Sequence, residues 1–156
     1  MFSKTDEKMM RIALEEGRTA LHEGEIPVGA VLAHGDVLVA RAHNTKESAC
    51  DPTAHAEINA LRLAAQKAGR WRLSDLTLYV TLEPCPMCAG AIAMSGVKRL
   101  VFGAYDKQYG CAGSIYRLTE DPVFPNFCPA DGGLMEEECA SSLHAFWKNT
   151  RKKTGD

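Results

Sequence analysis

The stretch from Leu76 to Ala104, LTLYVTLEPCPMCAGAIAMSGVKRLVFGA, places two short apolar runs on either side of a proline-started segment of small residues. Leu76 to Thr81 is β-rich, with threonine and tyrosine among its apolar residues, and predicts a strand. Pro86 suits the first position of a helix, where its missing N–H would have no partner anyway, so a helix is expected from Pro86 to Ser95. Arg99 to Ala104 then reads as a second short buried strand. A strand, a helix and a strand in succession call for parallel pairing.

The same alternation extends outward. Upstream, Asp51-Pro52-Thr53 resembles a helix start, and Ile58, Leu61, Ala64, Ala65 and Ala68 keep one face apolar up to Gly69, so a helix begins almost at His55. Before it, Ile26 to Ala33 and Val37 to Ala42 are apolar runs joined by His34-Gly35-Asp36, a hairpin pattern. The chain opens with an amphipathic helix capped near Thr5-Asp6-Glu7, carrying Met9, Ile12, Ala13, Gly17, Ala20 and Leu21, and ending near Gly24. Downstream, Asp106 to Pro129 is rich in Gly, Pro and polar residues and carries no clear period. A last helix is expected from Leu134 to Lys152, with Glu136, Glu137 and Glu138 at its start and Lys148, Arg151, Lys152 and Lys153 at its end, matching the helix dipole. The order predicts a three-layer α/β domain with parallel pairing after the opening hairpin. Residues 1–156 are expected to form one domain, since that length can bury a core without disulfide staples.

Composition narrows the classes of function. With 46% hydrophobic and 24% charged residues and no long apolar run, the chain is expected to be soluble and not to enter a membrane. Lys4, Asp6, Glu7 and Lys8 open the chain with no apolar segment behind them, which argues against a secretory signal and for the cytoplasm. Of the cysteines at 50, 85, 88, 111, 128 and 139, only one pair is closely spaced, a pattern of metal or redox chemistry rather than of a disulfide framework. A formal net charge of −2 exerts no global pull on nucleic acid, so such a partner would need a local basic patch.

Chemistry concentrates in His55-Ala56-Glu57 and Pro84-Cys85-Pro86-Met87-Cys88. Residues two apart within a helix point in nearly opposite directions, so His55 and Glu57 can share a site only over the helix end. Cys85 and Cys88 have the spacing that brings two thiolates to one metal, and a helix N-terminus favours the thiolate form. One imidazole and two thiolates leave a tetrahedral zinc ion with an open fourth position, as catalytic sites require. Glu57 is then the candidate carboxylate that moves protons without binding the metal.

At these residues the chain resembles the bacterial tRNA-specific adenosine deaminase family, a branch of the cytidine/deoxycytidylate deaminase superfamily. The supporting stretches are Pro27-Val28-Gly29-Ala30-Val31, Asn44, residues 51–57, residues 79–85, and Phe102-Gly103-Ala104 with Asp106. Residues 51–57 are shared with guanine deaminases, whereas Gly110-Cys111-Ala112-Gly113-Ser114 is closer to the tRNA branch. The resemblance implies an α/β/α cytidine-deaminase-like fold with a mixed five-stranded sheet and one zinc ion per subunit of a homodimer. It implies hydrolytic conversion of adenosine to inosine at the wobble position of the tRNA anticodon loop. It also implies that Asn44 hydrogen-bonds the flipped base, that Val28 packs against it, and that Phe146, Trp147, Lys148 and Arg151 of the last helix approach the RNA. Asn126-Phe127-Cys128-Pro129 departs from the basic sequence the family usually carries there, which weakens the usual RNA contacts but not deamination.

Other readings stay open on the residues alone. A C-x-x-C pair can be a redox pair or half of a closed metal site, with Cys50 the nearest extra ligand in sequence; packed or surface thiols are the simpler roles for Cys50, Cys111, Cys128 and Cys139. Phe146 and Trp147 can be core or dimer contacts. A deaminase of a free base or nucleoside such as guanine would need the same metal site and no RNA surface. A zinc-stabilised RNA-binding module without catalysis would have no use for Glu57.

Overall fold

The computed structural model describes residues 1–155. Its elements are α1 (Lys4–His22), β1 (Gly29–His34), β2 (Val37–His43), α2 (Ala56–Ala68), β3 (Thr77–Leu82), α3 (Pro86–Ser95), β4 (Arg99–Ala104), a single turn of 3-10 helix (Leu118–Glu120), β5 (Ala130–Gly132) and α4 (Glu136–Thr154). Five strands form one sheet in the order β2-β1-β3-β4-β5. Helix α1 packs on β1, β2 and β3 and touches α4, which packs on β3 and β4; α2 packs on β1, β2 and β3 and touches α3. The three-layer α/β/α expectation holds.

Burial follows from that layering. The inner strands β1, β3 and β4 are covered on both faces and are apolar almost throughout, with Val31, Leu32, Leu78, Val80, Leu100, Val101 and Phe102 all essentially inaccessible. Edge strand β2 starts exposed and then alternates, as a strand with one solvated face does. Gly29 shows why α1 can lie so close to β1: a Cβ there would sit 1.9 Å from the Ala13 carbonyl and 2.7 Å from the Gly17 nitrogen. Only a residue without a side chain allows the helix backbone to approach the strand backbone that closely.

Pairing corrects one expectation. Parallel pairing holds for β3 with β4 and for β4 with β5, but β3 lies against β1, antiparallel to it. Strands β2 and β3 do run in the same direction across α2, as a crossover demands. The crossover passes over β1, so β3 inserts beside the first strand of the hairpin instead of the second.

Boundaries shift where local chemistry competes. The first helix is capped by Ser3, two residues before the expected caps, because Ser3 Oγ accepts the Asp6 N–H and Asp6 accepts the Ser3 N–H in return. Residues 26–28 stay out of the hairpin, and Val28 N–H turns back to the Ile26 carbonyl. Asp51 caps a turn and not a helix, its carboxylate accepting the Thr53 N–H and hydroxyl, while α2 begins at Ala56 with His55 as its N-cap, where a start was expected. Residues 106–129 hold one 3-10 turn and an isolated bridge between Ala112 and Arg117. The short β5 beyond them adds the fifth strand, which periodicity alone did not reveal.

Candidate metal centre and active site

Two helix starts build the site. His55 is the N-cap of α2 and Cys85 the N-cap of α3, both with extended backbone, and neither side chain caps its own helix. A Ser or Asp at an N-cap normally turns inward to an unpaired N–H. Here both side chains are free to turn away from their helices and toward each other. His55 Nδ1 lies 3.6 Å from Cys85 Sγ and 3.5 Å from Cys88 Sγ, and the three form a group whose ligand atoms all lie within 4.8 Å of one another. Among the described residues this is the one group of His, Cys, Asp and Glu with such spacing. It could hold a metal ion and leaves a coordination position open.

The electrostatics suit a cation. The Cys88 hydrogen bond and the His55 imidazole hold the Cys85 thiol down to about 4, against the pull of burial. Cys88 is pushed up in turn, first by its contact with Cys85 and then by burial. The Cys85 hydrogen bond also raises the His55 imidazole above its ordinary value. A cation among them would displace these protons, and the positive ends of both helix dipoles already favour negative charge on the sulfurs.

Glu57 is the second residue of α2 and is 4% exposed. Burial pushes its carboxyl up to about 7, opposed by the Cys88 hydrogen bond. The first turn of the helix brings it over the end where His55 also sits, as the two-residue spacing required. Such a carboxyl takes up and gives back a proton near neutral pH.

Asn44 and Val28 stand together beside this centre. Asn44 N–H donates to the Val28 carbonyl at 3.2 Å, and both side chains are nearly buried. Asn44 Oδ1 accepts the Lys46 N–H, which leaves the amide nitrogen as the free end. Thr45 N–H donates to the Ala54 carbonyl, next to His55. Asn59 Nδ2 donates to the His43 carbonyl at 2.9 Å and to Thr45 Oγ1 at 3.0 Å, tying the Asn44 loop to α2.

The residues of α4 divide. Phe146 lines a depression of ≈ 500 Å³ with Glu25, Ile26, Lys46 and Lys153, on the side of the Asn44 loop. Lys148 and Arg151 line a different one with His144 and Trp147. Phe146 and the Lys148–Arg151 pair thus line neighbouring depressions, and Phe146 and Trp147 meet edge to face at 5.3 Å between them. In the segment that departs from the family pattern, Cys128 is fully buried and Phe127 is 65% exposed. Cys50 is exposed, Cys111 and Cys139 are buried, and none of these thiols joins the metal group.

Two buried glutamates had no assigned role. Glu25, 1% exposed, accepts the Glu47 and Ser48 N–H groups and so holds the loop after Asn44. Glu83, 2% exposed, accepts the Asp106 and Ser114 N–H groups. The only sequence cue for either is an acidic residue beside a proline or an apolar run, a weak one.

Comparison with known proteins places the chain among deaminases. The family model of MafB19-like deaminases matches residues 4–121. A tRNA-specific adenosine deaminase of Bacillus subtilis is 45% identical over 148 residues, 95% of this chain and 92% of its own length. One from Haemophilus influenzae is 46% identical over 152 residues, 97% of this chain and 88% of its own. A structure solved in a study of A-to-I editing by tRNA:A34 deaminases at the wobble position of transfer RNA superposes with a TM-score of 0.84 at 40% identity, over 87% of this chain and 99% of that one.

Proposed function

The chain belongs to the family of tRNA-specific adenosine deaminases, and on that premise we propose that it hydrolyses the adenosine at the anticodon wobble position of a tRNA to inosine and ammonia. The observation that carries the reading is the meeting of one imidazole, two thiols and one buried carboxyl outside the ligand set at the N-termini of α2 and α3.

Zinc fits the ligand set. Zn–S near 2.3 Å and Zn–N near 2.05 Å at a tetrahedral angle separate nitrogen from sulfur by roughly 3.6 Å. His55 Nδ1 lies 3.6 and 3.5 Å from the two sulfurs. When bound by His55, Cys85 and Cys88, the ion would supply a Lewis acid that makes a water nucleophilic at neutral pH. Glu57 handles the protons. It takes one from the attacking water and passes it to ring N1, then transfers the second to the amine as the C6–N bond breaks. Water oxygen ends on C6, both water protons end on substrate nitrogens, and ammonia leaves.

The base has to leave its stack to reach a centre this buried, which is cheapest in a single-stranded loop. Asn44 would offer its free amide N–H to the base and Val28 would pack on it. Phe146, beside Lys46 and Lys153, suits a stacked nucleotide with a phosphate nearby. Lys148 and Arg151 would then meet a more distant part of the RNA or the second subunit of a homodimer. The reading places the protein in the cytoplasm, where its tRNA is, and treats the chain as one catalytic domain. Among the described residues no helix is long and apolar enough to cross a membrane.

Zinc-loaded protein offered an anticodon stem-loop with adenosine at the wobble position should release ammonia and leave inosine there. Ammonia from free guanine or nucleosides, with none from the stem-loop, would overturn the tRNA reading.

A further inference from the structure

Glu83 lies at the end of β3, two residues before Cys85, with a buried carboxylate that faces no basic side chain in any hydrogen bond. Both oxygens are spent on backbone. Oε2 accepts the Asp106 N–H at 3.0 Å and Oε1 accepts the Ser114 N–H at 2.8 Å. Residues 106–114 thus close a loop around it. The loop is also stitched to the ligand strand: Glu83 N–H donates to the Ala104 carbonyl at 2.9 Å, and Cys111 N–H donates to the Pro84 carbonyl at 2.8 Å. Gly110 leaves the room for this, since a Cβ there would lie 1.6 Å from Glu83 Oε2 and 2.4 Å from the Asp106 carbonyl. A desolvated carboxylate without such donors would be strongly destabilising, so the loop and the carboxylate require each other.

We propose that Glu83 is a positioning residue for the reaction: through the Asp106 and Ser114 amides it holds the 106–114 loop against the Pro84–Cys85 peptide and so sets the place of the Cys85 thiolate and of the wall beside it. The proposal rests on the deaminase reading for its activity readout only. Its mechanism is local. Loosening the loop lets the Cys111–Pro84 bond slip, and Cys85 with it, and a sub-ångström displacement at a reacting centre has large kinetic consequences.

Glu83→Gln is the informative variant, because glutamine keeps the shape but presents one acceptor and one NH2. One of the two loop amides then faces a donor. We expect kcat on the stem-loop to fall about tenfold or more with KM little changed. The visible absorption of the Co2+-loaded protein, which reports thiolate geometry, should shift. Amide exchange should quicken in residues 106–116 and not in β1 or β3. In the unaltered protein, Asp106 and Ser114 amides should exchange about a hundredfold more slowly than that of Lys107, a difference that needs no variant to fold. Unchanged kcat and cobalt spectrum in Glu83→Gln, exchange that quickens throughout the sheet, or unprotected Asp106 and Ser114 amides would each overturn the proposal. Absence of inosine with the unaltered protein would instead sink the deaminase reading and leave the cobalt and exchange results to judge Glu83.

Discussion

Helix α1 and the pair α2 and α3 begin in opposite ways. Ser3 caps α1 reciprocally with Asp6, and the Asp6 carboxylate also accepts the Tyr79 hydroxyl and the Arg99 guanidinium, both at the other end of the sheet from the metal group. His55 and Cys85 occupy the same N-cap position in α2 and α3 and leave the helix N–H groups without a side-chain partner. One end of the molecule uses its polar groups to satisfy itself. The other turns its cap side chains away from the helix ends and onto one another, where they form a group that could hold a cation. Sites commonly conflict with local preference in this way.

Activity is where the contrast should be greatest. Glu57→Gln should lower turnover on the stem-loop by about a thousandfold while metal content stays at that of the unaltered protein, because in the proposed reaction the group lost carries protons and lies outside the ligand set. Metal loss with Glu57→Gln would make it a ligand and break the assignment. Next in size, Asp6→Asn should cost about 2 kcal/mol in urea unfolding and leave kcat unchanged. Burial pulls the Asp6 carboxyl up, but the Ser3 N–H, Tyr79 and Arg99 outweigh it and leave it below its ordinary value. Its stabilisation is therefore present above the unfolded carboxyl's value and fades as pH falls through the lower folded one; Asp6→Asn should remove that part of the acid sensitivity.

Smaller, and sharper for the comparison, is Cys85→Ser. Serine is a good N-cap, so the metal-free variant should unfold at higher urea by about 0.5–1 kcal/mol while metal affinity collapses. A metal-free variant less stable than the unaltered apo protein would show that Cys85 serves packing more than ligation. The smallest effect belongs to His43, which bonds Glu16 at 2.7 Å and Glu23 at 2.8 Å. Burial pulls its imidazole down, yet the two carboxylates leave it raised above the ordinary 6.5. The bridge contributes fully below that unfolded value and is lost as pH rises through the folded one. Stability should decline by less than about 1 kcal/mol across that window, and Glu16→Gln should flatten the decline.

What could be read from the chain follows the range of each signal. The candidate group in His55-Ala56-Glu57 and Pro84 through Cys88 could be picked out because ligand spacing and helix starts are local, and α3 and β4 appear at their expected bounds for the same reason. Glu25 and Glu83 were not legible as anchors, since their partners are backbone amides 22 to 31 residues away and any amide looks like any other. That Phe146 lines one depression and Lys148 and Arg151 another was hidden because adjacency along a helix says little about which neighbours each face meets.

By itself, then, the sequence determined most of the elements and picked out the three candidate metal ligands and the candidate proton-carrying carboxyl, all marked by patterns a few residues long. Tertiary structure alone decided that β3 enters beside β1, that the starts of α2 and α3 converge to a few ångströms, and that two buried carboxylates hold the loops around that point. Such choices depend on burying both faces of the inner strands at once and on satisfying every polar group that burial strands, and no local stretch encodes either condition.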